Sequence, residues 1–298
     1  MNREATGLAG VRHLAYGALG STNAEALVLA RAGERGPLWV SAASQSAGRG
    51  RRGSIWASPP GNLYASLLLS EPSPKPSAPQ LSFVAGLALH DALCDCAPAL
   101  GPLLKLKWPN DVLLGGRKLA GILIEGESEP VFTVVIGFGA NCASHPEDTA
   151  FLATDLRSAG AVVAADALLG ALAAAMQRRI ALWAMGAGFA AIRKDWLARA
   201  AGLGGEIRVR LPERELTGRF LGLDEAGRLQ LAEASGVTIV AAGEVFGFSS
   251  SIPPLKGEGR TAEGGSARGH LSFANSTTPT RTASLSDLPL AGGGEEKK

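Results

Sequence analysis

The chain carries, at residues 45–66, the stretch QSAGRGRRGSIWASPPGNLYAS, around which the rest of the sequence is arranged. The stretch holds three arginines, four glycines and the adjacent prolines Pro59 and Pro60, and apolar runs lie on both sides of it. Guanidinium groups bind phosphate or carboxylate through paired hydrogen bonds, and glycines let the backbone approach a ligand closely. The pattern therefore predicts a mobile cationic loop, held between two β-strands, that orders on an anionic ligand.

Two other interpretations of this loop stay open when only its residues are considered. Most runs of charge are solvated surface, so the loop could be an ordinary basic turn. A segment rich in glycine and arginine could also bind nucleic acid. The formal net charge of the chain is only +2, which is too small for a general polyanion-binding surface. Composition therefore favours a small anionic ligand over a long nucleic acid.

The length and composition indicate an ordinary globular protein. At 298 residues the chain has room for one large or two ordinary domains. Its three cysteines, Cys94, Cys96 and Cys142, follow no disulfide or metal-binding spacing, so we expect reduced thiols. There is no apolar run of signal-peptide length at the N-terminus and no stretch of about twenty apolar residues. We therefore expect a cytoplasmic protein with no membrane segment.

The segments around the loop predict a mixed sheet with helices packed on it. Ser21, Thr22 and Asn23 precede a run rich in alanine and leucine, a helix-capping pattern that predicts a helix over residues 23–32. Apolar residues recur at helical spacing over residues 80–94, which predicts a second helix. Apolar runs of strand length predict strands over residues 38–43, 62–69, 103–108, 111–114, 117–125 and 131–137.

The remainder of the chain predicts a helical segment, a small β domain and a tail. Residues 166–200 are rich in alanine and predict two helices, separated near Gly186 and Gly188. Short alternating segments over residues 204–248 predict about five strands. The last fifty residues are rich in Gly, Ser, Thr and Pro, so we expect them to be disordered. We divide the chain into domains at residues 1–202 and 203–248, followed by a tail at 249–298.

Residues 107–111, KWPND, place Asn110 and Asp111 between two predicted strands. Pro109 removes a backbone donor and stiffens the turn, so the two polar side chains should project together at one end of the sheet. An amide beside a carboxylate suits a magnesium ion that keeps several waters and bridges phosphate oxygens. The same residues also make ordinary turns, so this motif alone decides nothing.

Lys118 begins the next predicted strand, which is strongly apolar over residues 119–124. A lysine at this position can present a point charge to a phosphate or carboxylate on the concave face of the sheet. Gly121 would leave room there for a flat ligand against the backbone. The plainer alternatives are a solvated lysine and a glycine at a bulge. The four histidines are scattered and form no nucleophile motif, so any catalysis would rest on positioning and charge stabilisation.

Taken together, these motifs resemble the biotin-protein ligase family. They occur in family order across about 230 residues, and several separate motifs in sequence are far more specific than any one of them. The matching residues are Ser21-Thr22-Asn23, Gln45, residues 48–53 (GRGRRG) with Trp56, Ser58-Pro59, Asn62-Leu63-Tyr64, and residues 107–111 (KWPND), 118–123 (KLAGIL) and 137–141 (GFGAN).

This resemblance implies an α+β fold, with a catalytic domain like that of class II aminoacyl-tRNA synthetases and a small SH3-like β-barrel at the C-terminus. It implies that biotin and MgATP react to biotinyl-5'-adenylate and pyrophosphate. A lysine of the biotin carboxyl carrier protein of acetyl-CoA carboxylase, or of a related carboxylase, then accepts the biotinyl group. A homodimer is compatible with the family, and the sequence does not decide it.

The resemblance also implies roles for many of the matching residues. Lys118, Arg49 and Arg51 would be catalytic, and Asp111 would bind Mg²⁺. The residues implied for biotin are Ser21, Thr22, Asn23, Gln45, Gly48, Arg49, Lys118, Gly121, Ile122 and Gly137. The residues implied for ATP and the adenylate are Arg49, Arg51, Arg52, Trp56, Asn110, Lys118 and Asn141.

The chain departs from the family pattern in three places. Ser54 stands where many members carry a further arginine, which removes one phosphate contact. Only about twenty residues precede Ser21, too few for the helix-turn-helix domain with which some members bind DNA, so we expect no DNA binding and no repressor activity. The tail after residue 248 matches no part of the pattern.

The sequence leaves two alternatives to a biotin-protein ligase. A lipoate or octanoate transferase would use the same fold with a longer apolar slot, whereas Asn23 and Gln45 favour a ring that accepts hydrogen bonds. A non-catalytic nucleic-acid-binding module would show affinity that falls steeply with salt and would consume no ATP. With only two tyrosines and a near-neutral net charge, the chain offers such a module little support.

Overall fold

The computed structural model describes residues 3–147, 149 and 151–248 of the chain. These residues form an eight-stranded mixed sheet with helices against it, followed by a five-stranded antiparallel sheet. The predicted α+β class is confirmed. The tail predicted to be disordered, residues 249–298, lies outside the described residues.

The large sheet brings distant segments of the chain side by side. Its strands are β1 (Arg3–Leu8), β2 (Val11–Tyr16), β3 (Leu38–Ala42), β4 (Leu63–Ser70), β5 (Leu104–Lys107), β6 (Asp111–Leu114), β7 (Arg117–Glu127) and β8 (Thr133–Ala140). They are hydrogen-bonded in the order β1-β2-β3-β4-β8-β7-β6-β5. Strands β2 and β3 are parallel, and the other neighbouring pairs are antiparallel. Strands β4, β8 and β7 are thus direct neighbours, which places three of the sequence motifs together.

Within the described residues four α-helices pack on the large sheet or on one another, and side-chain alternation along the strands decides which helix each residue meets. The helices are α1 (Thr22–Arg31), α2 (Leu81–Cys96), α3 (Ala165–Trp183) and α4 (Phe189–Leu197). Along β3, Leu38 and Val40 belong to the apolar cluster with α1, whereas Trp39 between them belongs to the cluster with α2 and α3. This period of two is what a strand buried on both faces requires.

The small sheet follows the predicted pattern of short alternating strands. Its members are β9 (Glu206–Arg210), β10 (Glu215–Leu223), β11 (Leu229–Glu233), β12 (Gly236–Val240) and β13 (Glu244–Phe248), in the order β12-β11-β10-β9-β13. Buried and exposed residues alternate along β9, so one face of this sheet forms its core. The sheet also contacts the large domain, since Trp108 Nε1 donates to Gly227 O at 3.2 Å.

The structure differs from the predictions mainly at the N-terminus. We predicted no strands before residue 23, whereas β1 and β2 form a hairpin there. Its two-residue turn consists of Ala9 and Gly10, both with positive φ, and lacks the Asn-Gly or Asp-Gly pair that signals such turns in a sequence. The other elements lie within a few residues of their predicted bounds. No helix in the described part of the chain is long and apolar enough to span a membrane.

Candidate active site

A cavity of about 530 Å³ lies where the large sheet, the arginine-rich loop and the small sheet meet. It collects residues from segments that are far apart in the chain. With the exception of Gly48, every predicted site residue lines it: Ser21, Thr22, Asn23, Gln45, Arg49, Arg51, Arg52, Trp56, Asn110, Asp111, Lys118, Gly121, Ile122, Gly137 and Asn141. The fold therefore brings the predicted residues into one place.

The arginine-rich loop, which we call the Gly/Arg loop and define as residues 48–56, is folded as a small hairpin. Trp56 N donates to Gly48 O at 3.0 Å, and Gly50 N donates to Ser54 O at 2.7 Å. Between these bonds a single 3-10 turn spans Arg51–Gly53. A Cβ atom at Gly48 would lie 2.4 Å from Trp56 O, so only glycine allows the two strands of this hairpin to approach. Gly48 thus shapes the loop without lining the cavity.

Ser54 has a structural part in this loop through its backbone N–H and its hydroxyl. Its backbone N–H donates to Arg51 O at 3.1 Å and closes the 3-10 turn. Its hydroxyl packs against Gly50, where an added Cβ would lie only 2.4 Å from Ser54 Oγ. The turn carries Arg51 and Arg52 at the edge of the cavity. The loop therefore keeps its cationic character without the additional arginine.

A polar network from α1, β4 and the segment after β3 lies along one part of the cavity, which its members Thr22, Asn23 and Gln45 line. Gln45 Oε1 accepts from Thr22 N at 2.8 Å, and Gln45 Nε2 donates to Ser58 Oγ at 2.9 Å. Ser66, which is completely buried in β4, hydrogen-bonds to Asn23 Oδ1 at 2.6 Å and to Thr22 Oγ1 at 2.8 Å. Because these groups hold one another in place, they form a preorganised surface for a compact polar ligand.

Glu125 is a buried carboxylate next to this network. Its Oε2 atom accepts from Asn23 Nδ2 at 2.8 Å and from Arg49 Nη2 at 2.9 Å. The residue is only 4% exposed, and a charge so deeply buried is destabilising unless it is paired. A Cβ atom at Gly137 would lie 2.2 Å from Asn23 Oδ1, so the absence of a side chain on β8 is what lets Asn23 reach this position.

Three charged side chains form a triad elsewhere in the cavity. Asp111 Oδ2 lies 2.8 Å from Lys107 Nζ, and Asp111 Oδ1 lies 2.8 Å from Lys118 Nζ. Burial alone would raise the pKa of Asp111, but the ammonium charges of Lys107 and Lys118 outweigh it and lower that pKa to about 2. The triad carries a net positive charge, and Lys118 is its more exposed lysine. It is therefore suited to an anionic group.

The donor set around Asp111 does not fit a metal ion held by the protein alone. Both carboxylate oxygens already face ammonium groups, and a divalent cation would be repelled by the same two charges. Within the described residues there is no group of three His, Cys, Asp or Glu side chains that could hold a metal. The magnesium site predicted at Asp111 stays a prediction.

Trp56 lies against a floor that two glycines keep open. A Cβ atom would lie 2.5 Å from the indole Nε1 at Gly139 and 3.2 Å from Cζ3 at Gly121. The ammonium of Lys118 is 5.4 Å from the indole ring centroid. Within the described residues, Trp56 Nε1 is buried and has no hydrogen-bond partner. An aromatic surface next to a cation and an unsatisfied donor suits a planar, anionic ligand.

The two predicted asparagines use their amide nitrogens to fix the backbone around the cavity. Asn110 Nδ2 donates to Ile122 O at 2.6 Å, which ties the KWPND turn to β7. Asn141 Nδ2 donates to Thr154 O at 3.0 Å, and Thr154 N in turn donates to Lys118 O at 3.0 Å. Both asparagines line the cavity, and their bonds hold the backbone of β7 in place at Ile122 and at Lys118.

The small sheet contributes backbone carbonyl groups to the site. Arg51 Nη1 donates to Gly243 O at 3.0 Å, which connects the Gly/Arg loop to the segment before β13. Lys107 Nζ donates to Val245 O at 3.0 Å, and the side chain of Glu244 between these residues lines the cavity. Two of the cationic side chains are thus held in part by the C-terminal sheet.

Several residues of the site had no role predicted from the sequence, although Lys107 and Gly139 lie within two of the matching motifs. They are Ser66, Lys107, Glu125 and Gly139, together with the carbonyl groups of Gly243 and Val245. A weak signal existed for Ser66 and Glu125, because each is a polar residue next to an apolar run within its strand. No signal existed for the carbonyl groups, since every residue carries one.

Comparison with known proteins gives matches over both sheets. The model of the Biotin/lipoate A/B protein ligase family matches residues 26–141, and that of the Biotin protein ligase C terminal domain matches residues 202–246. The chain is 45% identical over 238 residues to a biotin–acetyl-CoA-carboxylase ligase of Paracoccus denitrificans, covering 76% of this chain and 96% of that relative. The ligase of the same name from Mycobacterium tuberculosis is 35% identical over 235 residues, covering 76% and 85%.

A solved structure agrees with these matches in its backbone. The biotin protein ligase of Aquifex aeolicus, determined in complex with biotin and ATP, superposes with a TM-score of 0.68 at 26% identity. The superposition covers 78% of this chain and 97% of that chain, so it includes nearly all of the Aquifex protein.

Proposed function

The chain belongs to the biotin protein ligase family and is a ligase that acts on biotin, and we propose that it does so in two steps within the cavity. In the first step biotin reacts with MgATP to biotinyl-5'-adenylate. In the second step the biotinyl group passes to a lysine of a biotin carboxyl carrier protein. The resemblance indicated by the motifs is confirmed, and so is the assignment to the ligase class.

The observation that carries this proposal is the content of the cavity. One space of about 530 Å³ holds the polar network, the Lys118 ammonium group and the Trp56 indole, with three arginines at its edge. A polar ring system, a reacting carboxylate and an adenine nucleotide need these three environments in this combination. In the proposal the network of Thr22, Asn23 and Gln45 binds the ring of biotin.

In the first step a carboxylate oxygen of biotin attacks the α-phosphorus of ATP, and the bond to the departing pyrophosphate breaks. Two anions must approach each other, so the barrier falls when fixed cations stand where they meet. Lys118 supplies this charge, and Asp111 keeps its ammonium group in place at 2.8 Å. Arg49 and Arg51 cover the adenylate and keep water from hydrolysing it.

In the second step the amine of the acceptor lysine attacks the acyl carbon, and AMP leaves as the bond to the phosphate breaks. Asp111 is a poor proton acceptor for this amine, because its pKa is about 2 and both of its oxygens face ammonium groups. Its role in the proposal is to position Lys107 and Lys118.

Other parts of the proposal come from the family likeness. Mg²⁺ belongs to it as part of the MgATP substrate, and the acceptor is a carboxyl carrier protein. The domain boundary at residues 202 and 203, the cytoplasmic location and a possible homodimer stay predictions.

A transfer assay tests the proposed function. The protein is incubated with ATP and an acceptor carrier domain, together with biotin in one sample and octanoate in another, and the acceptor is weighed by mass spectrometry. We expect the acceptor to gain one biotinyl group, only when ATP is present, and no octanoyl group. An acceptor that gains octanoate, or an acceptor mass that stays unchanged with biotin and ATP, would refute the proposal.

A further inference from the structure

One carboxylate oxygen joins the polar network of the cavity to the Gly/Arg loop. Glu125 Oε2 accepts both from Asn23 Nδ2, at 2.8 Å, and from Arg49 Nη2, at 2.9 Å. Glu125 does not line the cavity and is 4% exposed, so it lies behind these two donors. These two side chains therefore stand between Glu125 and a ligand in the cavity.

We propose that Glu125 is a positioning residue that couples binding of the biotin ring to closure of the Gly/Arg loop. This inference rests on the proposed function, which assigns Asn23 to the ring and Arg49 to the loop. Glu125 would be the residue through which the biotin ring, at Asn23, acts on the Gly/Arg loop, at Arg49.

The physical basis is the need of a buried carboxylate for a countercharge. Asn23 offers Glu125 only a neutral amide dipole, whereas Arg49 offers a full positive charge. A bound ring adds to the bonds that already hold the amide of Asn23, so the Oε2 atom is held more firmly toward the loop and docking of Arg49 becomes more favourable. By linkage the effect is reciprocal, so a docked Arg49 also favours binding of the ring.

A second glutamate on the same strand shows why Glu125 is singled out. Glu127 lies two residues further along β7, on the same face, and forms an ion pair with Arg31 of α1. Glu127 lines no part of the cavity and contacts no residue of the Gly/Arg loop within the described residues. The strand thus carries two Glu–Arg pairs, of which one joins the loop and the other provides a matched control.

The test uses Glu125→Gln in the full chain. Glutamine keeps an oxygen for Asn23 but loses the charge that holds Arg49, whose side chain is 38% exposed and can be hydrated. Biotin affinity is measured by titration calorimetry, and loop closure by hydrogen exchange of the amides in residues 48–56, three of which are bonded within the loop. Dissociation of biotinyl-5'-adenylate is measured in a separate experiment.

In the wild type we expect biotin alone to slow exchange in the Gly/Arg loop. In Glu125→Gln we expect biotin to bind about tenfold more weakly, because the docked loop no longer favours the bound ring. We also expect the loop protection to be lost and the adenylate to dissociate about tenfold faster or more, the effect of one charged hydrogen bond. Glu127→Gln should behave as the wild type does in all three measurements. A purely structural role would instead affect the thermal stability of the two variants and leave the response to biotin intact.

Arg49→Gln removes the Glu125–Arg49 ion pair from the side of the loop, so it tests the inference even if Glu125→Gln does not fold. It should lose the same protection, and the double variant should lose no more than either single variant. Retained protection in either variant, or additive losses in the double variant, would overturn the inference. A wild-type protein that forms no adenylate would instead refute the proposed function, which the loop measurement with biotin alone does not require.

Discussion

The carboxylate of Asp111 decides whether two lysines can share the cavity. Lys107 is 2% exposed and Lys118 approaches the same carboxylate from β7, so both ammonium groups face one another across Asp111. Without that negative charge a buried ammonium group would have no counterion, a situation that is strongly destabilising in proteins. The triad is therefore a means of placing the Lys118 charge in the cavity.

Replacing Asp111 by asparagine should destabilise the protein in a pH-dependent way. We expect a loss of about 3 to 5 kcal/mol in the free energy of unfolding at pH 7, because Lys107 stays buried without its partner. The pKa of Asp111 is lowered to about 2, so the stabilisation it provides is complete above its unfolded pKa near 4 and is lost as the pH falls toward 2. Urea unfolding at several pH values should show the two proteins converging over that interval.

The control for this measurement is Asp95→Asn. Asp95 faces Arg178 at 3.8 Å, and both side chains are largely exposed, so its replacement should change stability by less than about 1 kcal/mol at any pH. A difference between wild type and Asp111→Asn that persists unchanged below pH 3 would contradict the role assigned to the triad.

Replacing Lys118 by alanine should affect chemistry more than stability. Its side chain is 28% exposed, and we expect the rate of adenylate formation to fall about 100-fold to 1,000-fold, as when one preorganised transition-state contact is removed. Biotin affinity should change much less, because the polar network does not involve this residue. Lys105→Ala, an exposed lysine on β5, is the matched control, and a Lys118→Ala enzyme with the rate of that control would exclude the proposed role.

At the scale of elements, β8 presents two glycines to the cavity while Ile136 and Phe138 on its other face pack into the core. Gly137 admits the Asn23 side chain, and Gly139 admits the Trp56 indole. In the proposed function, a single strand therefore sets the space available to both substrates, biotin and ATP. The alternation of side chains along a strand makes this possible.

Alanine at Gly137 and alanine at Gly139 should each weaken the binding of a different substrate. Gly137→Ala would place a Cβ atom 2.2 Å from Asn23 Oδ1 and should raise the KM for biotin, whereas Gly139→Ala would displace Trp56 and should raise the KM for ATP. We expect changes of about tenfold in each case, the effect of roughly 1 to 3 kcal/mol of overpacking. Steady-state kinetics with one substrate varied at a time measures both.

Gly170→Ala provides the comparison, since nothing lies within 4 Å of an added Cβ at this position of α3. It should leave both KM values unchanged and stabilise the helix slightly. If Gly137→Ala and Gly139→Ala raised both KM values equally, the assignment of the two glycines to different substrates would be wrong.

Some elements of the fold and of the site could be predicted from the sequence, and others could not. The Gly/Arg loop, the strands and Lys118 could be predicted, because their signals lie within short segments of the chain. The glycines and arginines around Gly48 indicate the loop, and the apolar run after Lys118 indicates the strand that this lysine begins. Glu125 and Ser66 were not predicted as site residues, since their importance depends on Asn23, which is 102 and 43 residues away from them in the chain. The hairpin of β1 and β2 was missed because its turn residues, Ala9 and Gly10, carry no strong turn signal.

At the scale of the whole molecule, the two sheets share one apolar core. A single cluster of buried residues includes Phe83 and Trp196 of the large domain and Phe220 of β10. The turn between β10 and β11 enters this contact, because Gly227, with φ of +82°, lies against the ring of Phe83. Two sheets joined through a common core should unfold together.

We expect calorimetry of the wild type to show a single unfolding transition, and Gly227→Ala to lower its midpoint. The added Cβ would lie 2.6 Å from Phe83 Cε2 and force the two sheets apart, at about 1 to 3 kcal/mol beyond the strain of a left-handed backbone. Gly204→Ala isolates that strain, since Gly204 has φ of +77° and no atom within 4 Å of an added Cβ. At about 2 to 4 °C per kcal/mol, the two variants should differ in midpoint by several degrees.

Adenylate formation should fall only in Gly227→Ala, because the carbonyl groups of Gly243 and Val245 move with the small sheet. Equal midpoints in the two variants, or two separate transitions in the wild type, would mean that the small sheet holds the cationic side chains without sharing the core.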